Sequence, residues 1–234
     1  KVLVDHYIGR KVERRLRNQA LNFNISTGYH FRPNLLLRLD HFLENRRFEE
    51  LDGREIRGLL LSHRFTLDWG SYYSNEGLAS GYNFKPYYEF TDPVSDFQFY
   101  KMGIFGKQNI FRRGNFNWIL YPRAEIGRPL PRFQLFDLGG TRLRGYHSQI
   151  FRSDGYVSAQ NDLLLTVFEL GKLFKLRPLL FADLAYISNG TRFGFGAGLN
   201  VYVRQVAVPA IQISGGYGLN PNGFSVAILV GPQI

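Results

Sequence analysis

The side chains best suited to chemistry are five histidines, His6, His30, His41, His63 and His147. A hydrolase would need one of them beside a nucleophilic serine and a third group that orients the imidazole. Ser62 and His63 are neighbours in sequence, so on a strand they face opposite sides and do not meet. His147 and Ser148 fall in a glycine-rich stretch that reads as a loop. No Ser/His pair stands at a persuasive spacing, and no carboxylate cluster accompanies the histidines, so there is no metal-ligand pattern. The chain contains no cysteine. That excludes disulfides, thiolate metal sites and a cysteine nucleophile. The expectation is a protein that is not an enzyme and carries no cofactor or metal.

Other charged residues recur in a pattern. Arg38 with Asp40, Arg64 with Asp68, and Arg123 with Glu125 fall on shared faces of polar/apolar alternation. Asp162 and Asp183 are isolated carboxylates on otherwise uncharged runs. Between them and the preceding strand lies Phe136-Asp-Leu-Gly-Gly-Thr-Arg-Leu-Arg-Gly-Tyr146, polar and glycine-rich, with Arg144-Gly145-Tyr146 at its tip.

Strands must position these groups. Leu21, Phe23, Ile25 and Tyr29 alternate with Asn22, Asn24, Ser26 and Gly28, and the same period of two recurs along the chain. It runs through Leu35–Leu43, Leu59–Trp69, roughly 78–91 and 97–111, Phe116–Ile126, Val157–Val167, about 175–188, Phe193–Val203, Ile211–Ser214 and Phe224–Val230. With an opening strand near 2–9, the count is about twelve. Turns are expected at Arg32-Pro33-Asn34, Arg112–Asn115, Ser188–Gly190 and Asn220–Gly223. Arg10–Arg17 and Asn45–Gly53 read as charged connections. Many of these strands exceed the roughly 5–6 residues usual in soluble sheets, and they match a bilayer crossed at a tilt.

Mean hydropathy is −0.20, and no run of about 18 apolar residues is present, so no transmembrane helix is expected. Alternating strands average to neutral hydropathy, so a membrane barrel remains. The formal charge is +10. Nucleic acid, anionic lipid and a basic lumen compete for it. The basic residues gather in connections (Arg10-Lys11, Arg14-Arg15, Arg46-Arg47, Arg112-Arg113), which suits lipid phosphates better than nucleic acid. Trp69, Tyr72, Tyr73, Tyr87 and Tyr88 are expected to form an interfacial aromatic girdle. The fold class is therefore all-β, a transmembrane antiparallel β-barrel spanning residues 1–234 as one domain.

Leu143-Arg144-Gly145-Tyr146, preceded by Leu138-Gly139-Gly140, resembles the lid-loop motif of the BamA/TamA/FhaC superfamily of outer-membrane barrels. Phe181-Ala182-Asp183-Leu184-Ala185 is similar to that family's Phe-x-Asp-x-Gly motif, with Ala185 where the family has glycine. The resemblance covers roughly residues 116–234. It implies that residues 129–155 or so fold inward as a lid and that Arg144 meets Asp183. Parity agrees, because Phe181, Asp183 and Ala185 share a face opposite Leu180, Ala182, Leu184 and Tyr186. An arginine can grip a carboxylate with two parallel hydrogen bonds. Asp162 is a second acceptor, and the alternative is a solvated Arg144 with Asp183 paired elsewhere. Gly194, Gly196 and Gly198 would leave room for the loop backbone.

The resemblance further implies a bacterial outer-membrane location and non-enzymatic handling of other molecules there. Lipid movement, with phospholipid or lipopolysaccharide as partner, is favoured over insertion or secretion of outer-membrane protein clients. Another expectation is the exit barrel of a patatin-type phospholipase, or a barrel lipase. Pairing of two copies at the seam between first and last strands is also expected. The family usually has sixteen strands and POTRA modules, whereas about twelve strands and no preceding α/β module are read here. That implies a short, POTRA-less member or the barrel part of a longer chain.

Overall fold

The computed structural model describes residues 2–13, 18–49, 55–75, 78–148, 150–171, 173–188, 190–203 and 209–230. Its strands are β1 (Val2–Glu13), β2 (Asn18–Arg32), β3 (Leu35–Glu49), β4 (Glu55–Asn75), β5 (Leu78–Thr91), β6 (Tyr100–Arg113), β7 (Phe116–Arg128), β8 (Phe136–Leu138), β9 (Phe151–Ser153), β10 (Gly155–Leu164), β11 (Phe168–Leu170), β12 (Phe174–Ile187), β13 (Gly190–Val203), β14 (Ile211–Leu219) and β15 (Gly223–Val230). A single 3-10 turn, Arg132–Gln134, is the one helical element among the described residues. No helix there is long and apolar enough to cross a membrane.

Twelve strands pair side by side in the order β1-β2-β3-β4-β5-β6-β7-β10-β12-β13-β14-β15. The short β11 adds to β12, and β8 with β9 forms a separate two-stranded sheet. Near-sequential order follows from hairpin connections, which need only a few residues and join antiparallel neighbours. The exceptions are the step from β7 to β10, which carries the loop holding β8 and β9, and the step from β10 to β12, which carries β11.

Alternation makes the strands two-faced. Leu180, Leu184 and Tyr186 on β12 are exposed, while Leu179, Phe181, Asp183, Ala185 and Ile187 between them are buried. On β15, Phe224, Val226, Ile228 and Val230 are all exposed. Asp40, Ser62, Thr66, Glu89, Asn117 and Asp183 are buried on the other face. This reverses the economy of a water-soluble protein and is what a chain surrounded by lipid requires.

Several strands run further than expected. Arg10–Glu13 belongs to β1, paired to β2 as far as Glu13 with Asn18; the rest of the expected Arg10–Arg17 connection lies outside the described residues. Asn45–Glu49 belongs to β3, and Asn45 pairs with Leu59 and Arg47 with Arg57. Backbone pairing carries these hairpin ends, and in β3 the buried Arg46 is also held by Glu44 at 2.5 Å and lies over the Phe133 ring. β10 conversely stops at Leu164, and the amide of Leu165 donates to the Pro178 carbonyl at 2.9 Å.

The chain divides into two compact units, Lys1–Trp69 with Lys85–Gly103 and Ile126–Gln134, and Gly70–Phe84 with Ile104–Glu125 and Leu135–Ile234. In the first, the buried face is held by charge. Arg38 Nε donates to Asp40 at 3.0 Å, as its position two residues away suggests. Arg64 does not pair with Asp68. It donates to Glu89 of β5 through Nε at 3.0 Å and Nη2 at 2.5 Å, and Asp68 takes Lys85 at 2.8 Å instead. For Arg64 and Asp68 the partner therefore comes from the neighbouring strand, whose cross-strand residues lie closer than an i+4 residue on the same strand. Residues 92–99 continue the edge of β4: the amides of Asp92 and Asp96 donate to the carbonyls of Leu61 and Leu59 at 2.9 and 3.0 Å.

In the second unit, Arg123 lies over the Phe105 ring, and Glu125 accepts from the Tyr156 hydroxyl. The expected aromatic girdle splits by parity. Trp69, Tyr73 and Tyr88 are exposed, whereas Tyr87 is buried and the Tyr72 ring lies under Lys107 Nζ at 4.2 Å. Adjacent tyrosines on a strand point to opposite faces, so only one of each pair can reach the outer surface.

Candidate functional site: an arginine-anchored loop on the polar face of β10 to β14

Residues 135–154 lie within the second unit and are internally braced. The β8/β9 pair aligns Phe136 with Ser153 and Leu138 with Phe151. Arg152 Nε meets Asp137 at 2.9 Å, and Arg142 donates to the Asp137 carbonyl at 3.3 Å. The amide of Gly140 closes the far end on the Tyr146 carbonyl at 2.9 Å. The bracing leaves the tip, Leu143 to Tyr146, as a preformed prong.

The prong is buried. Leu143 and Tyr146 are 0% and 1% exposed and pack on Ala185, which is also 0% exposed. Ala185 thus fills the position that the resembled motif gives to glycine, and its methyl forms the floor under Leu143 and Tyr146. Phe151 closes this small apolar cluster, its ring edge-on to Tyr146 at 5.1 Å.

Arg144 carries the polar contacts. Its backbone amide and Nε both donate to Asp183 Oδ2, at 2.9 and 2.8 Å, and Nη2 donates to Oδ1 at 2.6 Å. Nη1 donates to Asp162 Oδ1 at 2.5 Å, and Nη2 also reaches the Asn161 carbonyl at 3.3 Å. The guanidinium lies over the Phe181 ring, 4.1 Å from its centroid. Such a fork, seated on an aromatic plane, is chemistry that lysine cannot reproduce. Burial alone would lower the Arg144 pKa, but the hydrogen bond to Asp183 and the charge of Asp162 outweigh it and raise the pKa above its ordinary value. The guanidinium therefore stays charged.

Register explains why these groups converge. Gln160 of β10, Asp183 of β12 and Gly194 of β13 are directly opposite one another across three strands. Asp162 is level with Phe181 and Gly196 in the next inward-facing row. The row at Asp183 therefore has an amide on one side and an empty position on the other. Gln160 Nε2 donates to the Thr141 carbonyl at 2.7 Å and approaches Asp183 Oδ2 at 3.4 Å.

The three glycines on β13 divide by role. A Cβ on Gly194 would overlap the carbonyl oxygen of Arg144, so this position does make room for the loop backbone. A Cβ on Gly196 would overlap the Gly215 carbonyl oxygen of β14 and lie 2.6 Å from Phe181 Cζ, so its space serves the close approach of β14 and the ring that underlies Arg144, not the loop backbone. Gly198 corrects the expectation: its neighbours are Ile213 and Ser214 of β14, not the loop. Gly145 has φ +91°, and a Cβ there would meet the Tyr217 carbonyl at 2.7 Å, so backbone conformation and contact both demand glycine.

Sequence reasoning missed Gln160, Asn161 and Gly218. The Tyr146 ring lies over Gly218, 2.5 Å from where a Cβ would stand. The single proton of the Tyr146 hydroxyl is shared between the Phe193 carbonyl, at 3.1 Å, and the Leu219 carbonyl. Period-two alternation can say which face such residues occupy, but only register shows what they touch. Tyr146→Phe is expected to remove both contacts at a cost of about 1–2 kcal/mol. A urea unfolding midpoint lowered at constant slope checks this.

Among the described residues, no group of three or more His, Cys, Asp or Glu side chains converges as a metal site. The arrangement is a clamp in which one cation on a loop is shared by two carboxylates on neighbouring strands.

The strand order and the two-faced strands give a fold like that of solved outer-membrane β-barrels. BamA from Haemophilus ducreyi lacking POTRA domains 1–3 superposes with a TM-score of 0.77 at 11% identity, over 99% of this chain and 58% of that one. CdiB from Escherichia coli gives a TM-score of 0.68 at 17% identity, over 97% of this chain and 49% of that one. The chain thus spans about half the length of these two proteins. No protein-family model and no curated protein sequence matches it.

Proposed function

We propose that the protein is a non-enzymatic β-barrel of the bacterial outer membrane whose lumen is occluded by the loop at 129–155. In this reading it handles lipid, phospholipid or lipopolysaccharide, at that membrane. The observation that carries occlusion is the clamp: Arg144 makes four side-chain hydrogen bonds to Asp183, Asp162 and Asn161. A loop held that firmly is suited to stay in place rather than to admit solutes. Lipid is favoured as partner by the exposed apolar side chains on one face of individual strands, such as Leu180, Leu184 and Tyr186 of β12 and Phe224, Val226, Ile228 and Val230 of β15, and by basic residues concentrated at hairpin ends, which complement phosphate groups. Pairing of two copies through the terminal strands β1 and β15 belongs to the same proposal, since an exposed strand edge is a template for another strand.

Insertion or secretion of outer-membrane protein clients is the second reading, favoured by the likeness to BamA and CdiB. An exit barrel of a patatin-type phospholipase, or a barrel lipase, is a third, which the length of the full gene tests. Reconstitution separates the first two. Lipid handling predicts faster transfer of a fluorescent phospholipid between vesicles carrying the protein than between protein-free ones. Transfer at the protein-free rate, with accelerated insertion of an unfolded barrel client, would favour the second reading instead.

A further inference from the structure

Two histidines 22 residues apart in sequence meet in the first unit. His41 of β3 and His63 of β4 are directly opposed partners. Their rings are edge-to-face with centroids 4.9 Å apart, and their Nδ1 atoms are 2.7 Å apart. Both belong to the outward apolar set, flanked by exposed Leu37, Leu43, Leu59, Phe65 and Leu67. Ionisable side chains on a lipid-facing surface cost free energy and are retained where they serve a function.

The second nitrogen of His63 is also engaged. Its Nε2 lies 3.6 Å from Asp92 Oδ2, and Phe90 flanks the ring at 5.4 Å. Asp92 is itself fixed, with its amide on the Leu61 carbonyl and its Oδ1 accepting from the Val94 amide. A carboxylate facing the far nitrogen favours the proton on His63 Nε2 and leaves the Nδ1 lone pair pointing at His41. This is the support that metal-binding imidazoles ordinarily have. His41 Nδ1 then holds the proton between the rings.

We propose that His41 and His63 form a two-imidazole site for a divalent cation of the zinc class, with Asp92 positioning His63. On binding, the His41 Nδ1 proton moves to its own Nε2, so both Nδ1 lone pairs face the cation and no redox step is involved. Metal–nitrogen bonds of about 2.0–2.1 Å at tetrahedral angles need the two nitrogens about 3.3 Å apart. Small side-chain rotations open the present gap that far. Water fills the remaining positions. Hard cations such as Mg²⁺ prefer all-oxygen ligands and are not expected to bind there.

The test is calorimetric titration of the full, tag-free chain in detergent with zinc chloride. One Zn²⁺ per chain is expected, lost in His41→Asn and in His63→Asn and unchanged in His147→Asn. Asp92→Asn should weaken binding by about 10–100-fold, and magnesium chloride should give no binding. Absent zinc binding, or binding unchanged in His41→Asn and His63→Asn, would overturn the proposal. X-ray absorption on the zinc-loaded wild-type chain needs no variant: two imidazoles at about 2.0 Å are expected, and a shell with fewer would also overturn it.

Discussion

Arg144→Ala is expected to release the loop at 135–154 while leaving the strands paired. The substitution removes every side-chain bond to Asp183, Asp162 and Asn161. It also leaves Asp183, 0% exposed, with a buried negative charge and only the loop amide and Gln160 near it. Removing one partner of a buried ion pair typically costs about 3–5 kcal/mol, because the remaining charge has lost its compensation. At about 1.4 kcal/mol per factor of ten, loop amides should exchange hydrogen roughly a hundredfold to several thousandfold faster. Hydrogen exchange read by mass spectrometry on loop peptides measures this, with β13 and β14 peptides as unchanged references. Arg144→Lys should recover only part of the protection, since a point charge cannot span both oxygens of Asp183 and reach Asp162. Full protection in Arg144→Ala would show that the apolar cluster of Leu143, Tyr146 and Ala185 holds the loop without the clamp.

The second large effect is steric and comes from the opposite partner. Gly194→Ala places a methyl where the Arg144 carbonyl now lies, and a backbone carbonyl cannot turn aside as a long side chain can. Alanine is easily accommodated in a strand, so β13 should remain paired while the loop is pushed out. Overpacking of this kind costs about 1–3 kcal/mol. Gly215→Ala is the control. Its added methyl meets only Phe224 and Val226, at 3.8 and 4.0 Å. It should change stability by no more than about 0.5 kcal/mol. Equal losses of loop protection in the two variants would mean that glycine content, rather than the space beneath Arg144, governs the loop.

The face of each strand was legible in the sequence because lipid and a polar interior impose opposite demands on alternate residues. Leu180, Leu184 and Tyr186 fall outward and Asp183 inward on that rule alone. Strand ends were less legible. Asn45–Glu49 looks like a connection because it is charged, yet backbone pairing with β4 extends the strand through it. Partner choice was less legible still. The rule that put Gly194, Gly196 and Gly198 on one face could not say that only the first lies under the loop. That depends on register across β12, β13 and β14, as do the contacts of Gln160 and Gly218. The same limit hid the imidazole pair. His41 and His63 both sit in outward sets of consecutive strands, and a hairpin register was needed to bring them level. Arg64 and Asp68 share a face by parity, but only the neighbouring strand shows that Arg64 binds Glu89.

The central claim, that the clamped loop occludes the barrel, is tested most directly by single-channel recording in planar lipid bilayers. The wild-type chain is expected to be nearly non-conducting, with Arg144→Ala and Gly194→Ala opening a sustained ion conductance and Gly215→Ala resembling wild type. An open wild-type pore whose conductance is indifferent to Arg144→Ala would contradict the account.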